Sequence, residues 1–170
     1  QNNSSSDGIA IQAGYRPGLI GDITRLHAVY YYENWGFHIN FETQVATELS
    51  QFCLRLNPVT DGLWSSSIDG KFLGSVAIDG SLRETQGARL RWFIVTPEFQ
   101  GTGVGKVLLK EAIDFCRKNG LNKIFLWTFK GLEAARFLYE RAGFTLVEEH
   151  PFSGWGGDII EQKFELNLEQ

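Results

Sequence analysis

The 170-residue chain is poor in the residues that build disulfide frameworks and metal sites. It has two cysteines, three dispersed histidines and no Cys-x-x-Cys pair. We therefore expect neither a disulfide-rich scaffold nor a structural zinc site. Cys53 and Cys116 each fall on the apolar side of a helical pattern, which predicts buried free thiols. We therefore expect no metal, and reduced thiols favour a cytoplasmic protein.

Long apolar runs and an excess of positive charge are also missing. No run approaches the roughly 20 residues that cross a bilayer, and no signal-peptide pattern is present, so we expect no membrane association. Sixteen basic against 20 acidic residues give a formal charge of −4. A nucleic-acid binder of this size is usually basic, so direct contact with DNA or RNA is not expected.

Methionine does not occur at all, even at position 1, which is expected of a chain that was processed or cut from something longer. Residues 1–8 are polar and serine-rich and are predicted to be a disordered arm or a cloning remnant. The remaining composition, with 43% hydrophobic and 21% charged residues, is ordinary for a globular protein. It predicts a single domain over residues 9–170.

The most informative feature is a glycine-rich stretch at residues 100–106, which reads Gln-Gly-Thr-Gly-Val-Gly-Lys. The run before it, residues 89–95, predicts a strand buried on both faces, and the apolar spacing after it predicts a helix. Three glycines at such a turn let backbone N–H groups approach a ligand closely. The start of the helix adds unpaired donors and a partial positive charge. This combination predicts an anion site, most often one for phosphate.

The spacing of the glycines separates the kinds of phosphate site. A nucleotide P-loop needs glycine where this chain has Gln100, and serine or threonine where it has Val107. The dinucleotide fingerprint fails because Gly101, Gly103 and Gly105 are separated by single residues. What remains, residues 95–105 with their Val-x-Pro start, resembles the acyl-CoA pyrophosphate loop of the GNAT superfamily of N-acetyltransferases.

A second signature follows at residues 133–144, which resemble the last helix of that superfamily and the strand after it. Gly143 suits a left-handed helix end before Phe144. The resemblance covers residues 9–168 and looks closest to the branch in which the acetyltransferase domain is fused behind a winged helix-turn-helix regulator of the MarR type. The residues that suggest this branch are Gly21, Asp22, Ile23, His27, Tyr31, Glu33, Asn34, Trp35, Gly36, Trp127, Thr128, Trp155 and Gly156.

Periodicity and turn residues predict an α/β fold with the order β-α-α-β-β-β-α-β-α-β-β, which is that of the GNAT fold, a mixed sheet flanked by helices. The predicted strands are residues 9–13, 62–68, 71–78, 89–95, 123–128, 144–149 and 159–168. The predicted helices run from 17 to about 36, from 41 to 56, from the glycine-rich turn to 119, and from 132 to 142. Asp69 and Gly70 predict a two-residue hairpin turn.

The resemblance implies an enzyme that transfers the acetyl group of acetyl-CoA to a primary amine. Carried onto this sequence, the backbone of Ile94, Val95 and Thr96 faces the acetyl and pantetheine portions, and the Val95 N–H polarises the thioester carbonyl. The pyrophosphate lies on Gln100, Gly101, Thr102, Gly103, Val104, Gly105 and Lys106. Tyr139 corresponds to the tyrosine that protonates the departing sulfur. Where the family often has an asparagine seven positions earlier, this chain has Leu132, so that side-chain hydrogen bond is lost or replaced.

The acceptor is less defined. Glu33, His27 and His150 are candidates for the general base, and neither the residues nor the resemblance chooses among them. The aromatic, glycine-containing segments 35–37 and 150–157 are predicted to be mobile lids over the acceptor, which favours a small or amino-acid-like amine over a protein. An acyl-CoA-sensing or regulatory domain with little turnover is the alternative function. The oligomeric state is not determined, and a homodimer stays open.

Overall fold

The strands and helices follow one another in the predicted order. In the computed structural model, which describes residues 8–169, the elements are β1 (Ile9–Ala13), α1 (Leu19–Trp35), α2 (Ile39–Arg55), β2 (Gly62–Ile68), β3 (Lys71–Asp79), β4 (Ala88–Val95), a short 3₁₀ helix (Pro97–Phe99), α3 (Val104–Lys118), β5 (Lys123–Phe129), α4 (Glu133–Ala142), β6 (Thr145–Phe152) and β7 (Ile159–Asn167). The arm predicted for residues 1–8 lies, except for Gly8, outside the described residues.

The seven strands form one mixed sheet in the order β1-β2-β3-β4-β5-β7-β6. Its pairs are antiparallel except for β4 and β5, which are parallel and pair only through Ala88 with Ile124 and Arg89 with Phe125. Beyond this short contact the two strands diverge. The sheet is therefore open in its middle, on the side where β4 ends.

A bulge in β4 accompanies this opening. Ser75 pairs with Ile94 while Ala77 pairs with Arg91, so one extra residue of β4 is accommodated between them. Trp92 lies in the bulge with φ of 48°, a left-handed conformation that non-glycine residues rarely adopt. The Ser75 hydroxyl donates to the Trp92 carbonyl over 2.7 Å and holds it there. Bulges bend a strand and increase its twist, which turns the end of β4 away from β5.

Helices cover both faces of the sheet and define two apolar cores. One lies under α3 and α4, and the other under α1 and α2. The largest fully buried side chains of the described residues are Phe37, Phe52, Phe125, Phe164, Leu19, Ile23, Leu49, Leu63, Leu73, Ile78, Leu108 and Ile124. Each helix thus buries the apolar stripe from which it was predicted, and together they fix the positions of the strand ends that border the opening.

Local signals in the sequence are confirmed at the turns. Asp69 and Gly70 have φ of 50° and 76°, the pair of positive values that a two-residue hairpin of type I′ requires. Gly143 ends α4 with φ of 104°, and its N–H donates to the Glu140 carbonyl. Cys53 and Cys116 are both free, but only Cys116 is buried as predicted, and Cys53 is half-buried at the edge of the core. Burial raises the pKa of the Cys116 thiol to about 12. Cys116 is therefore uncharged at neutral pH and unsuited to be a nucleophile.

Two predictions need correction. The strand at residues 89–95 is not buried on both faces, because Arg89, Arg91 and Phe93 alternate on a face that borders cavities. The strand predicted to end at residue 149 continues to Phe152, so His150 belongs to β6 and not to a loop.

In residues 8–169 no helix is long and apolar enough to cross a membrane.

Candidate active site

A groove of about 610 Å³ runs between the end of β4, the glycine-rich turn and the start of α4. Of the residues predicted to hold the cofactor, it is lined by Ile94, Val95, Gln100, Gly101, Gly103, Gly105 and Lys106. Gly101 and Gly103 have φ of 79° and 95°, and a side chain added at either would meet no atom within 4 Å. The turn is thus strained for any other residue and leaves open space above its backbone, as a ligand cradle requires.

The first turn of α3 presents free backbone donors to this groove. The first bond within the helix is from the Val107 N–H to the Gly103 carbonyl, at 3.1 Å, so the N–H groups of Val104, Gly105 and Lys106 have no partner inside the helix. Gly103 offers no capping side chain, and the first turn contains no acidic residue. Three donors and the positive end of the helix dipole therefore remain available to an anion.

The backbone of Val95 points into the opening between β4 and β5. The Thr96 N–H donates to the Leu73 carbonyl over 2.7 Å, so Thr96 is a hydrogen-bonded position of the β3–β4 ladder. Hydrogen-bonded positions alternate along an antiparallel pair, and Val95, opposite Gly74, therefore directs its N–H and carbonyl away from β3. The Gln100 side chain donates to that carbonyl over 3.1 Å. The Val95 N–H is left facing the region where β4 and β5 no longer pair.

Three of the predicted cofactor residues do not line the groove. The N–H of Thr96 is used in the sheet, and its hydroxyl donates to Glu98 over 2.5 Å. The Thr102 hydroxyl donates to the Phe99 carbonyl and stabilises the turn. Val104 is 3% exposed and packs its side chain into the core under α3. Any contact of Val104 with a cofactor would be through its N–H.

A second cavity, of about 440 Å³, continues from the same opening toward α1 and α2, and we refer to it as the acceptor cavity. Its aromatic walls are Tyr31, Phe41, Trp92, Phe93, Trp127, Phe129, Tyr139, Phe152 and Trp155. Its ionisable side chains, apart from the tyrosines, are His27, Glu48, Arg89, Arg91 and Glu161. Tyr31, Phe93, Leu132 and Ala135 line both the groove and the cavity. The two spaces therefore meet across these shared walls.

Tyr139, on α4, lines the acceptor cavity but not the groove, and it lies against Phe93, which lines both. Its side chain is 5% exposed, and its ring packs against Phe93, Phe144 and Phe164 with centroid separations of 5.8, 5.8 and 6.1 Å. Burial, with a smaller effect of Tyr31, raises the pKa of the Tyr139 hydroxyl far above its ordinary value. The hydroxyl is therefore protonated at neutral pH and can act only as a proton donor there.

The three candidates for the general base are placed differently. Glu33 is exposed on α1 and lines neither space. His27 lines the acceptor cavity, but its Nδ1–H donates to the Ile23 carbonyl over 2.8 Å and burial lowers its pKa to about 4. His150 lies on β6 opposite Glu161 of β7, and its Nε2 is 3.1 Å from a Glu161 carboxylate oxygen. Of these three residues, only His150 lies within hydrogen-bond distance of a carboxylate that lines the cavity, that of Glu161.

Glu161 was missed by the sequence reasoning. It lies in a strand in which Glu161, Lys163 and Glu165 alternate with the buried Gln162 and Phe164, so the charges share one face. That alternation is a signal that this face of β7 borders solvent or a cavity. It does not say which charge meets a ligand, because this depends on the pairing of β7 with β5 and β6.

The two aromatic segments converge at the mouth of the acceptor cavity. The His38 N–H donates to the Trp155 carbonyl over 3.1 Å, and the Trp155 ring packs against Phe37 and Phe41 at 5.4 and 5.3 Å. The Trp155 Nε1–H also donates to the Gln44 side chain over 3.0 Å. The segments 35–37 and 153–157 thus meet beside the cavity, as a pair of closing loops would require.

Ion pairs fix the floor of the cavity. Arg91 pairs with Glu48 at 2.6 Å and with Asp79 at 3.3 Å, while Arg55 pairs with Asp79 at 2.8 Å. Burial acts to raise the pKa of Asp79, but hydrogen bonds from Arg55 and Ser81 outweigh it and lower that pKa to about 2. This network of ion pairs connects α2 to β3 and β4.

No group of three or more His, Cys, Asp or Glu side chains within residues 8–169 is arranged to hold a metal ion.

An anion cradle at the start of α3, which opens through a splayed mixed sheet to a second cavity, is the arrangement that the resemblance to acyl-CoA-dependent acetyltransferases predicts. Comparison with known proteins agrees. The profile of the Acetyltransferase (GNAT) family matches residues 21–144, and the chain belongs to that family. Over 99 residues it is 30% identical to an uncharacterized N-acetyltransferase of Methanocaldococcus jannaschii, covering 56% of this chain and 43% of that protein. The chain spans less than half the length of the curated relatives it matches.

Solved structures extend the likeness of the fold to almost the whole chain. A GNAT acetyltransferase from Staphylococcus aureus Mu50 superimposes with a TM-score of 0.74 at 17% identity, over 94% of this chain and 100% of that one. The spermidine N-acetyltransferase of Vibrio cholerae, solved with CoA and spermine, superimposes with a TM-score of 0.71 at 20% identity, over 95% and 96% of the two chains. The predicted fold is therefore confirmed.

Proposed function

We propose that this protein is an N-acetyltransferase that moves the acetyl group of acetyl-CoA to the primary amine of a small molecule. The observation that carries the proposal is the meeting of two spaces in one opening of the sheet. The groove offers backbone donors suited to a pyrophosphate, and the acceptor cavity offers aromatic walls and charged groups. A thioester in the groove and an amine in the cavity would meet at the shared walls, near Phe93 and Leu132.

In this proposal the backbone of β4 and the side chain of Tyr139 stabilise the transition state. The amine nitrogen attacks the thioester carbon, a carbon–nitrogen bond forms and the carbon–sulfur bond breaks. The Val95 N–H, which faces the opening, donates to the oxygen as it gains negative charge. Tyr139 gives its proton to the departing sulfur, and burial keeps it protonated until then. Leu132 contributes apolar contact where a hydrogen bond to the pantetheine arm is lost.

Glu161 is the general base in this mechanism, and His150 positions it. Glu161 lines the acceptor cavity, and His150 holds its carboxylate from the neighbouring strand. His27 is uncharged at neutral pH because burial lowers its pKa to about 4, so it does not attract an ammonium as a carboxylate does. An amine arriving as ammonium must lose a proton before it attacks, so a carboxylate at the cavity wall serves both to attract and to deprotonate it.

A small acceptor is supported by the loops beside the cavity. The loops that carry Phe37 and Trp155 pack on each other there and form an aromatic wall at its mouth. The structural relative from Vibrio cholerae is named for a small polyamine substrate. The proposed relation to the branch fused behind MarR-type regulators does not alter this chemistry and stays a prediction.

The experiment combines calorimetry with an amine panel. Acetyl-CoA and CoA are expected to bind saturably and ATP is not, and CoA release is expected with at least one class of small amine. Tyr139→Phe keeps the ring contacts and is expected to lower kcat about 10- to 100-fold while leaving the acetyl-CoA affinity and Tm unchanged. Tyr32→Phe, which removes the hydroxyl of an exposed tyrosine on α1, is the control and is expected to change nothing.

Three outcomes would contradict the proposal or a part of it. Binding of ATP without binding of either CoA species would remove the cofactor. Tight binding of acetyl-CoA without turnover of any amine would favour the sensing domain instead. Unchanged turnover in Tyr139→Phe would show that the phenol is not the proton donor.

A further inference from the structure

Arg89 is a half-buried cation in the wall of the acceptor cavity, and it has no carboxylate partner among the described residues. Its Nε is fully enclosed and has no hydrogen-bond partner among the described residues. Within residues 8–169 the other buried side-chain atoms without a partner are the hydroxyls of Thr24 and Ser66, which are neutral. Partial burial of a charge without a partner costs more than partial burial of a hydroxyl. Because the Nε is enclosed, a ligand in the cavity would be bound through the terminal Nη groups of the guanidinium, which are not enclosed.

The neighbouring Arg91, on the same face of β4, has the carboxylate partners that Arg89 lacks. It lies two residues further along β4 and is paired with Glu48 and Asp79. Glu161, the remaining carboxylate of the cavity, interacts with His150. No carboxylate of residues 8–169 lies within ion-pair distance of Arg89. The carboxylates of this face are thus bound elsewhere.

Arg89 remains charged in this position. Burial lowers the pKa of its guanidinium and the charge of Arg91 lowers it further, while Glu48, Asp79 and Glu161 act in the opposite direction from a distance. An arginine starts so far above neutrality that it stays protonated in proteins. The cavity therefore presents a permanent positive charge with hydrogen-bond donors that the protein does not use.

We propose that Arg89 binds a carboxylate of the acceptor, so that the acceptor is an amino acid or a similar amine that carries a carboxylate. This inference rests on the proposed acetyltransferase function. The planar guanidinium matches a carboxylate in a two-point contact. A phosphate group would bring a second negative charge into a cavity that already contains Glu48 and Glu161, which disfavours it.

The other end of such a zwitterion also has a counterpart in the cavity. Arg89 pairs in register with Phe125 and Glu161 with Phe129, so the two charged residues lie on opposite sides of β5 and four residues apart along it. Their backbones are then separated by roughly 13 Å along the strand and roughly 10 Å across it. Both side chains line the same cavity, so a small zwitterion bound there would have an opposite charge for each of its ends. The ammonium would meet Glu161 and the carboxylate Arg89.

A panel of matched acceptors tests the proposal. Each amino acid is compared with its carboxamide, with the amine that lacks the carboxylate, and with an amine that carries a phosphate instead. The wild type is expected to prefer the carboxylate by about 100-fold in kcat/KM, because a site built for a charged group rejects analogues without it. Arg89→Met is expected to remove most of that preference, and Arg89→Lys, which keeps the charge but not the fork, to restore part of it. A preference for phosphate, or an equal loss for all acceptors in Arg89→Met, would overturn the inference.

Stability without acceptor separates a ligand-binding arginine from a structural one. Arg89→Met removes an unpaired, half-buried charge and is expected to raise the Tm of the acceptor-free protein by several degrees. Arg91→Met, on the same face of the same strand, is the matched control and is expected to lower Tm because it leaves Glu48 without its partner and Asp79 with Arg55 alone. A lower Tm for Arg89→Met would assign Arg89 a structural role and overturn the proposal.

Thermal shift with CoA bound distinguishes failure of this inference from failure of the proposed function. An amino-acid-dependent rise in Tm that is lost in Arg89→Met sustains the carboxylate site even if no acetyl group is transferred. Turnover of neutral amines without any protection by amino acids would sustain the acetyltransferase and overturn the carboxylate site.

Discussion

The cofactor groove and the acceptor cavity meet in one opening of the sheet, yet they offer their ligands different parts of the chain. The groove offers backbone: the Val95 N–H, the glycine-rich turn and the first N–H groups of α3. The cavity offers side chains from seven elements, α1, α2, β4, β5, α4, β6 and β7, and from the loop after β6. Backbone groups are the same in every residue, so the groove depends on conformation, whereas the cavity depends on which side chains the fold gathers.

Because of this difference, the two regions tolerate different changes in amino-acid sequence. A turn that needs positive φ and free N–H groups tolerates few sequences, and its ligand can be inferred from a short motif. A cavity assembled from seven elements can exchange one side chain for another without disturbing the groove. The motif therefore specifies the ligand of the groove but not the acceptor.

The largest effect is expected where the groove loses its conformation. Gly103→Val places a β-branched residue at φ of 95° and fills the open space above the turn. We expect the acetyl-CoA affinity to fall by at least about 100-fold, or roughly 3 kcal/mol, in calorimetry. The control is Gly120→Val at the other end of α3, where φ is 71° and the added atoms also meet nothing.

Both variants carry a similar strain of about 1–2 kcal/mol, which chemical denaturation should show. If Gly120→Val weakens acetyl-CoA binding as much as Gly103→Val does, the loss comes from destabilised α3, and the groove is not defined by its backbone as described.

A smaller effect is expected from a single side chain of the cavity. Glu161→Gln keeps the size of the residue but cannot accept a proton, so kcat should fall about 100-fold with little change in acetyl-CoA affinity. Glu165→Gln is the matched control, because Glu165 lies on the same face of β7 and pairs with Lys123 outside the cavity. Steady-state kinetics over pH measure both. Equal turnover in the two variants would exclude Glu161 as the base.

The smallest effect on turnover is expected at His27, which lines the cavity without entering its proton chemistry. His27→Asn should leave the pH profile of kcat unchanged, because His27 is already neutral above its pKa of about 4. Its influence should be seen in stability. Since its pKa is about 6.5 when unfolded, the unfolded state binds more protons between pH 6.5 and 4.

Wild-type stability should therefore decrease as the pH falls through that window, by up to about 3 kcal/mol from this residue. Denaturation of wild type and His27→Asn at pH 7, 5.5 and 4 measures the difference, and the variant should show the flatter dependence. A slope equal to that of the wild type, or a shifted kcat profile, would place the His27 charge in the mechanism after all.

Particular residues show how far sequence reasoning reached. The hairpin at Asp69 and Gly70, the helix end at Gly143 and the order of the elements are confirmed, because each depends on local backbone chemistry or on periodicity. The family and the fold are confirmed by the comparisons. The convergence of the two aromatic segments was a condition of the lid hypothesis, and the contact between Phe37 and Trp155 meets it. Their motion stays a prediction.

The errors and omissions concern residues whose environment is created by distant strands. The alternation of Arg89 and Arg91 in an otherwise apolar run was taken as a fully buried strand, although one face borders a cavity. His150 was placed in a loop, and its partner Glu161 was not considered. Leu132 was noted only as a missing asparagine, whereas it lines both spaces.

The sequence by itself determined the fold and the cofactor cradle, because helix periodicity, turn glycines and the free N–H groups at a helix start are properties of neighbouring residues. Only the tertiary structure decided the acceptor cavity. Its charges are brought together by the bulge at Trp92, the two-pair contact between β4 and β5, and the pairing of β7 with β6. These contacts join residues far apart in the chain, so no local pattern shows that Arg89 is left unpaired or that Glu161 meets His150.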